Sequence, residues 1–247
     1  MKVRTKKDRP QAKSLDFEAL QDHCFLLQIS DSVFPIGAYS HSFGLETYVQ
    51  KGLVHDTDSS LKFISAWFKN SFLYTDLLAV SLAYNASLHQ QWAELDALEA
   101  YLEASRIPME LREASRKLGN RFCKLLATIT DPEKHAFFHD YLEHRQGKVV
   151  CHPVAYGLFC SELAVDKAEV LLRFSYAQAS AMVTNAVKAI PLSQTDGQKI
   201  LVALYPLLGQ LLQEVEELTI DDLCASTPAF DLRSMEHEHV YSRLYMS

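Results

Sequence analysis

Apolar residues recur every three or four positions along most of the chain, which is the spacing of one face of a helix. Phe17, Leu20, Cys24 and Leu27 form the first such face, after a cap at Ser14 or Asp16. Leu61, Ile64, Phe68 and Phe72 form another after Thr57 and Asp58, and the pattern runs on through Leu78 and Leu82. Leu95, Leu98 and Leu102 mark a shorter helix. Pro108 then stands where a first-turn proline belongs, ahead of Leu111, Ala114, Leu118, Phe122 and Leu125. Phe138, Tyr141 and Leu142 indicate a helix ended by Gly147, and Pro153 opens one that turns Val154, Leu158 and Phe159 inward. Lys167 to Ala189 reads as one helix stopped by Pro191. Leu201, Leu204, Leu208, Leu211 and Val215 make the cleanest stripe, with Pro206 expected to kink it.

No strand alternation, internal repeat or low-complexity linker interrupts this pattern. It predicts an all-α protein: a single compact domain of about eight to ten helices. The expected organisation is a disordered basic tail over 1–13, a helical body over 14–224, and a C-terminal segment over 225–247 that is loose until a partner orders it. Composition agrees. Of 247 residues 48% are apolar, enough for a full core, and only 8 Gly and 8 Pro are present, few for an all-β protein.

Charge narrows the function. The formal net charge is −7, but residues 1–13 hold six basic side chains against Asp8 alone. The rest carries 18 basic and 30 acidic residues, a net −12. Such a body argues against nucleic-acid binding, which needs a basic footprint. No apolar signal region follows the basic start, and no run of about 18 apolar residues occurs. The expectation is a cytoplasmic protein outside the membrane. Five cysteines without CxxC spacing fit reduced thiols in the core.

The search for reacting groups finds little. The phosphate-binding, dinucleotide, zinc-protease and nucleophile-elbow motifs are all missing. The pairs Glu216-Glu217 and Asp221-Asp222 would point about 100° apart on a helix and read as solvated charge. His237 and His239 would lie about 200° apart on a helix and could share an ion only in an extended tail. Cys151-His152 reads as a core thiol beside a helix start. Were residues 222–224 extended, Asp222 and Cys224 would fall on one side, and a thiolate plus a carboxylate can bind a transition metal. The competing account is a buried cysteine beside a capping aspartate. An enzyme acting on a small metabolite would need His41, Glu46 and Cys24 to line one pocket, and no nucleophile–base pair supports it. A nickel-storage protein is a further alternative.

Three segments instead suggest contact surfaces. Between Asp31 and Glu46 there is no charged side chain other than a titratable His41, yet Pro35, Gly37 and Gly44 shape the backbone around Tyr39 and three serines. Pro191 to Lys199 joins two strong helices. Ser193 and Asp196 have capping-box spacing there, and Gln194, Gln198 and Lys199 are left for a polar contact. The chain ends in Tyr241-Ser242-Arg243-Leu244-Tyr245-Met246-Ser247, rich in the residue types of interface cores. It packs on its own body or on a partner, and the composition favours the partner.

These segments, with Pro108 to Ser115 and Gly119, together resemble the UreF family of urease accessory proteins, over residues 24 to 247. That resemblance implies an all-α, non-catalytic protein that assists insertion of nickel into urease. It implies a homodimer that binds UreH (also called UreD) and recruits the GTPase UreG, the complex then acting on apo-urease. By position, Tyr39 corresponds to a dimer-surface residue used in recruiting the GTPase, with His41 beside it, and Arg243 to an arginine at the UreH-binding end, near Tyr245. Cys224 corresponds to a cysteine on a nickel route where relatives carry His-Leu-Cys. Asp222 stands in the histidine's place here. No tightly bound cofactor is implied, only nickel in transit.

Overall fold

The computed structural model describes residues 17–38, 41–225, 227–240 and 243–246. The basic segment 1–13, the two candidate caps Ser14 and Asp16, and Tyr39 lie outside them. Helices run over Phe17–Ile29 (α1), Leu45–Gln50 (α2), Thr57–Trp67 (α3), Leu78–Leu88 (α4), Trp92–Ser105 (α5), Met109–Ile129 (α6), Ala136–His144 (α7), His152–Ser161 (α8), Lys167–Ala189 (α9), Gln194–Glu214 (α10) and Pro228–His237 (α11). A π-helical stretch, Phe68–Leu77, joins α3 to α4. There is no strand among the described residues.

Helix α8 is the centre: His152 to Cys160 are all buried, and α4, α6, α9 and α5 pack around it. Such an all-round apolar helix has no solvent face to give an amphipathic pattern. Two glycines allow the close approach. A Cβ on Gly157 would come 2.4 Å from the Val80 carbonyl oxygen of α4, and one on Gly119 would come 2.0 Å from that of Val150. Helix α10 lies against α9, and its start is fixed by the predicted capping box. The Ser193 hydroxyl accepts from Asp196 N–H, and the Asp196 carboxylate accepts in return from the Ser193 backbone. Helix α10 continues through Pro206, which sits on its exposed side.

Two expectations are corrected. The face of α1 formed by Phe17, Leu20, Cys24 and Leu27 points outward, with Phe17 74% exposed. Asp22, Leu26 and Ile29 face inward instead. The helix carries apolar residues on two sides, so its own pattern is ambiguous. The choice is made by Asp22, whose carboxylate accepts from Lys134 Nζ (2.6 Å) and Ala164 N (2.9 Å). Nor is the chain loose from residue 225. It forms α11, which packs through Phe230 onto Tyr48 and Phe63 (ring centroids 6.1 and 5.8 Å apart).

Candidate functional site

The segment from Asp31 to Glu46 is a shaped connection between α1 and α2. The Asp31 carboxylate accepts from Val33 N (2.9 Å), closing a turn after α1, and Phe34 and Ile36 anchor the loop in the core. Gly37 and Gly44 take φ of +90° and +81°, where a side chain is strained. A Cβ on Gly44 would also approach Ser234 Oγ of α11 to 2.9 Å. Two helices hold the loop from the sides: Arg121 of α6 donates to the Ile36 carbonyl (3.2 Å), and Asn185 of α9 donates to that of His41 (2.8 Å). His41 is buried. Burial, with Lys117 and Arg121 adding repulsion, pushes its pKa down to about 4, so the ring is neutral at pH 7.

Just beyond the loop, sequence-distant residues meet in a buried polar cluster. His237 is fully buried with Nε2 3.1 Å from Glu46 Oε2 and Nδ1 2.5 Å from Glu110 Oε2. Arg243 donates to the other Glu110 oxygen at 2.6 Å. Glu46 also accepts from the backbone N–H of Leu244 (2.7 Å) and of Tyr245 (3.2 Å). Tyr245 is buried and donates its hydroxyl to the Asn185 carbonyl (3.2 Å); burial pushes its pKa up to about 12. The chain end is therefore fastened to its own body at Glu46, Glu110 and Asn185. Arg243, Leu244 and Met246 keep exposed side chains, a surface facing outward from a fixed backbone.

The structure disposes of two metal geometries. Both ring nitrogens of His237 face carboxylates, and His237 ends a helix, so it shares no extended tail with exposed His239. Residues 220–222 form a 3-10 turn, and the Asp222 carboxylate accepts from Thr219 N (2.9 Å) and Oγ1 (3.1 Å). The extended segment that would align Asp222 with Cys224 does not form. Cys224 has a left-handed backbone (φ +65°) and donates its amide N–H to the Tyr74 carbonyl oxygen (2.7 Å). Burial pushes its thiol up, away from the thiolate a metal needs. Among the described residues no group of three His, Cys, Asp or Glu side chains converges as a metal would require. Nor do His41, Glu46 and Cys24 share a pocket: the first two are buried and Cys24 is exposed on α1. A cavity of about 420 Å3 between the end of α1, α8 and α9 has Ile36, His152, Tyr156 and Phe174 in its walls, and none of those three.

Gln194, Gln198 and Lys199 are exposed at the start of α10. Sequence reasoning missed a larger surface. Beside the outward face of α1 stand Leu172 and Tyr176 of α9 and Val202 and Tyr205 of α10, each more than 40% exposed. Leu27 and Tyr176 border one groove, which Asp31, Arg173 and three serines also line, and Leu172, Tyr176 and Tyr205 border a second. Exposed apolar side chains grouped in this way make the region a candidate contact surface. The outward stripe on α1 was the available signal, but periodicity gives a helix's apolar face without saying what covers it. No helix among the described residues is long and apolar enough to cross a membrane.

Comparison with known proteins places the chain in a family. The UreF family matches over residues 54–205. The urease accessory protein UreF of Actinobacillus pleuropneumoniae is 39% identical over 225 residues, covering 90% of this chain and 97% of that protein. The urease accessory protein UreF of Bacillus sp. (strain TB-90) is 35% identical over 224 residues, with the same two coverages. With relatives matched along nine-tenths of its length, the chain belongs to the UreF family of urease accessory proteins.

Proposed function

We propose that this chain is a non-catalytic scaffold for urease maturation in the cytoplasm. It dimerises, binds UreH (UreD), and recruits the GTPase UreG so that nickel reaches apo-urease. The observation that carries the reading is family membership over nearly the whole chain. The surfaces fit it. The apolar face of α1, α9 and α10 suits a second copy of the chain. The fastened end, with Arg243, Leu244 and Met246 outward around anchored Tyr245, suits UreH. The Asp31–Glu46 loop, with Tyr39, suits the GTPase; His41, expected beside it as a contact residue, is buried and supports the loop from within. Exposed Gln194 and Gln198 add a polar contact surface. Nickel is cargo in this scheme. Cys224 lies on its route as a passing ligand after deprotonation, and Asp222 is engaged elsewhere.

Deleting 241–247 tests the reading. It removes the outward side chains and the two backbone donors to Glu46 but keeps His237 and every helix. The truncated chain should keep its helical circular dichroism and lose UreH in a pull-down. Full retention of UreH would reject the assignment of the chain end.

A further inference from the structure

Helix α6 carries a feature that the proposed contacts do not use. Lys117, Arg121 and Lys124 are exposed and spaced i, i+4, i+7, which puts them on one side of the helix. Across the Asp31–Glu46 loop stands exposed Lys188 of α9, in the wall of the same cavity as Ile36 and Ala38. Among the described residues none of these four forms a salt bridge, whereas Arg116, one position away on α6, is tied to Glu103 and Glu113. Arg121 reaches the loop directly, through its bond to the Ile36 carbonyl, and both Lys117 and Arg121 bear electrostatically on His41. A row of unpaired cations flanking one loop is unusual on a body whose net charge outside the first 13 residues is −12.

From this arrangement we infer that the α6 side of the loop is a docking face for a protein surface bearing clustered carboxylates. The inference rests on the proposed recruitment of the GTPase at this loop, and it assigns the chemistry that the GTPase must present. Charge decides the orientation. An acidic patch is repelled by the net charge of this body and attracted where Lys117, Arg121, Lys124 and Lys188 face it together. The cations therefore steer the partner onto the loop and raise its association rate, while the loop's own shape sets the final fit.

The test follows UreG binding to the full chain in complex with UreH, at about 0.1 M and about 1 M salt, over which the Debye length falls from about 10 Å to about 3 Å. The variant carries Lys117→Glu, Arg121→Glu and Lys124→Glu together. A second variant, Lys117→Glu with Lys124→Glu, keeps the Arg121 bond to Ile36 and so leaves the loop supported. Both should associate about tenfold or more slowly at low salt, with the deficit shrinking at high salt. Association at the wild-type rate in both variants would overturn the docking face. If Tyr39→Ala meanwhile abolishes binding, recruitment at the loop stands and only its charge complementarity falls. A wild-type complex that binds no UreG would overturn both. If the variants lose retention on phosphatidylglycerol vesicles while still taking up UreG normally, the face belongs to a membrane surface and the inference is wrong.

Discussion

His41 and His152 are both buried, and burial is the largest cause that holds each near a pKa of about 4. An unfolded chain takes up a proton at each histidine near pH 6.5, while the folded chain resists until about pH 4. The unfolded state thus binds more protons across that window, and stability falls as pH drops through it. Each histidine is worth about 3 kcal/mol over the full window, judged from the size of the shift. Urea midpoints measured at about pH 7 and about pH 5 should show the loss. His152→Phe should reduce it, because a phenyl ring keeps the place among Phe122, Tyr156 and Phe174 but cannot titrate. An unchanged pH dependence in that variant would refute this account. Neither the fate of His41 nor that of Glu46 was legible in the sequence. Both look like candidate chemistry in the sequence, but His41 is buried, with its backbone carbonyl held by Asn185 144 positions away, and Glu46 pairs with His237 191 positions away.

At the scale of elements, the legible features were local ones. The ends of α9 and the capping box of α10 depend on residues within one turn of each other, so sequence reveals them. The inward face of α1 depends on which neighbour presents a lysine and a free amide to Asp22, and no pattern within α1 contains that information. Glycines separate the two cases sharply. Gly157→Ala forces a Cβ against the Val80 carbonyl, part of a backbone that is unable to step aside, and should cost about 3 kcal/mol of unfolding free energy. Gly209→Ala, in exposed helix with nothing within 4 Å, should stabilise by about 1 kcal/mol. Chemical denaturation of the two variants checks the pair, and a Gly157→Ala protein as stable as wild type would mean that α4 and α8 do not pack so closely.

For the whole molecule, the exposed apolar residues of α1, α9 and α10 make the proposed dimerisation a test of surface rather than of fold. Tyr176→Asp puts a charge at the middle of that face, where desolvating it costs several kcal/mol. On the proposed dimer, light scattering should report half the wild-type mass with unchanged helical content, and a mass equal to a dimeric wild type would exclude this face as the contact. Sequence alone determined that the chain is helical, where most helices start and stop, and that its body is acidic. These follow from residue spacing, capping and composition, which act within a few turns or by simple addition. Tertiary structure decided which stripe of α1 faces water, which carboxylates close on His237, and that the chain end lies fastened beside the Asp31–Glu46 loop. Those outcomes depend on groups up to 199 positions apart, brought together only when the core around α8 has packed.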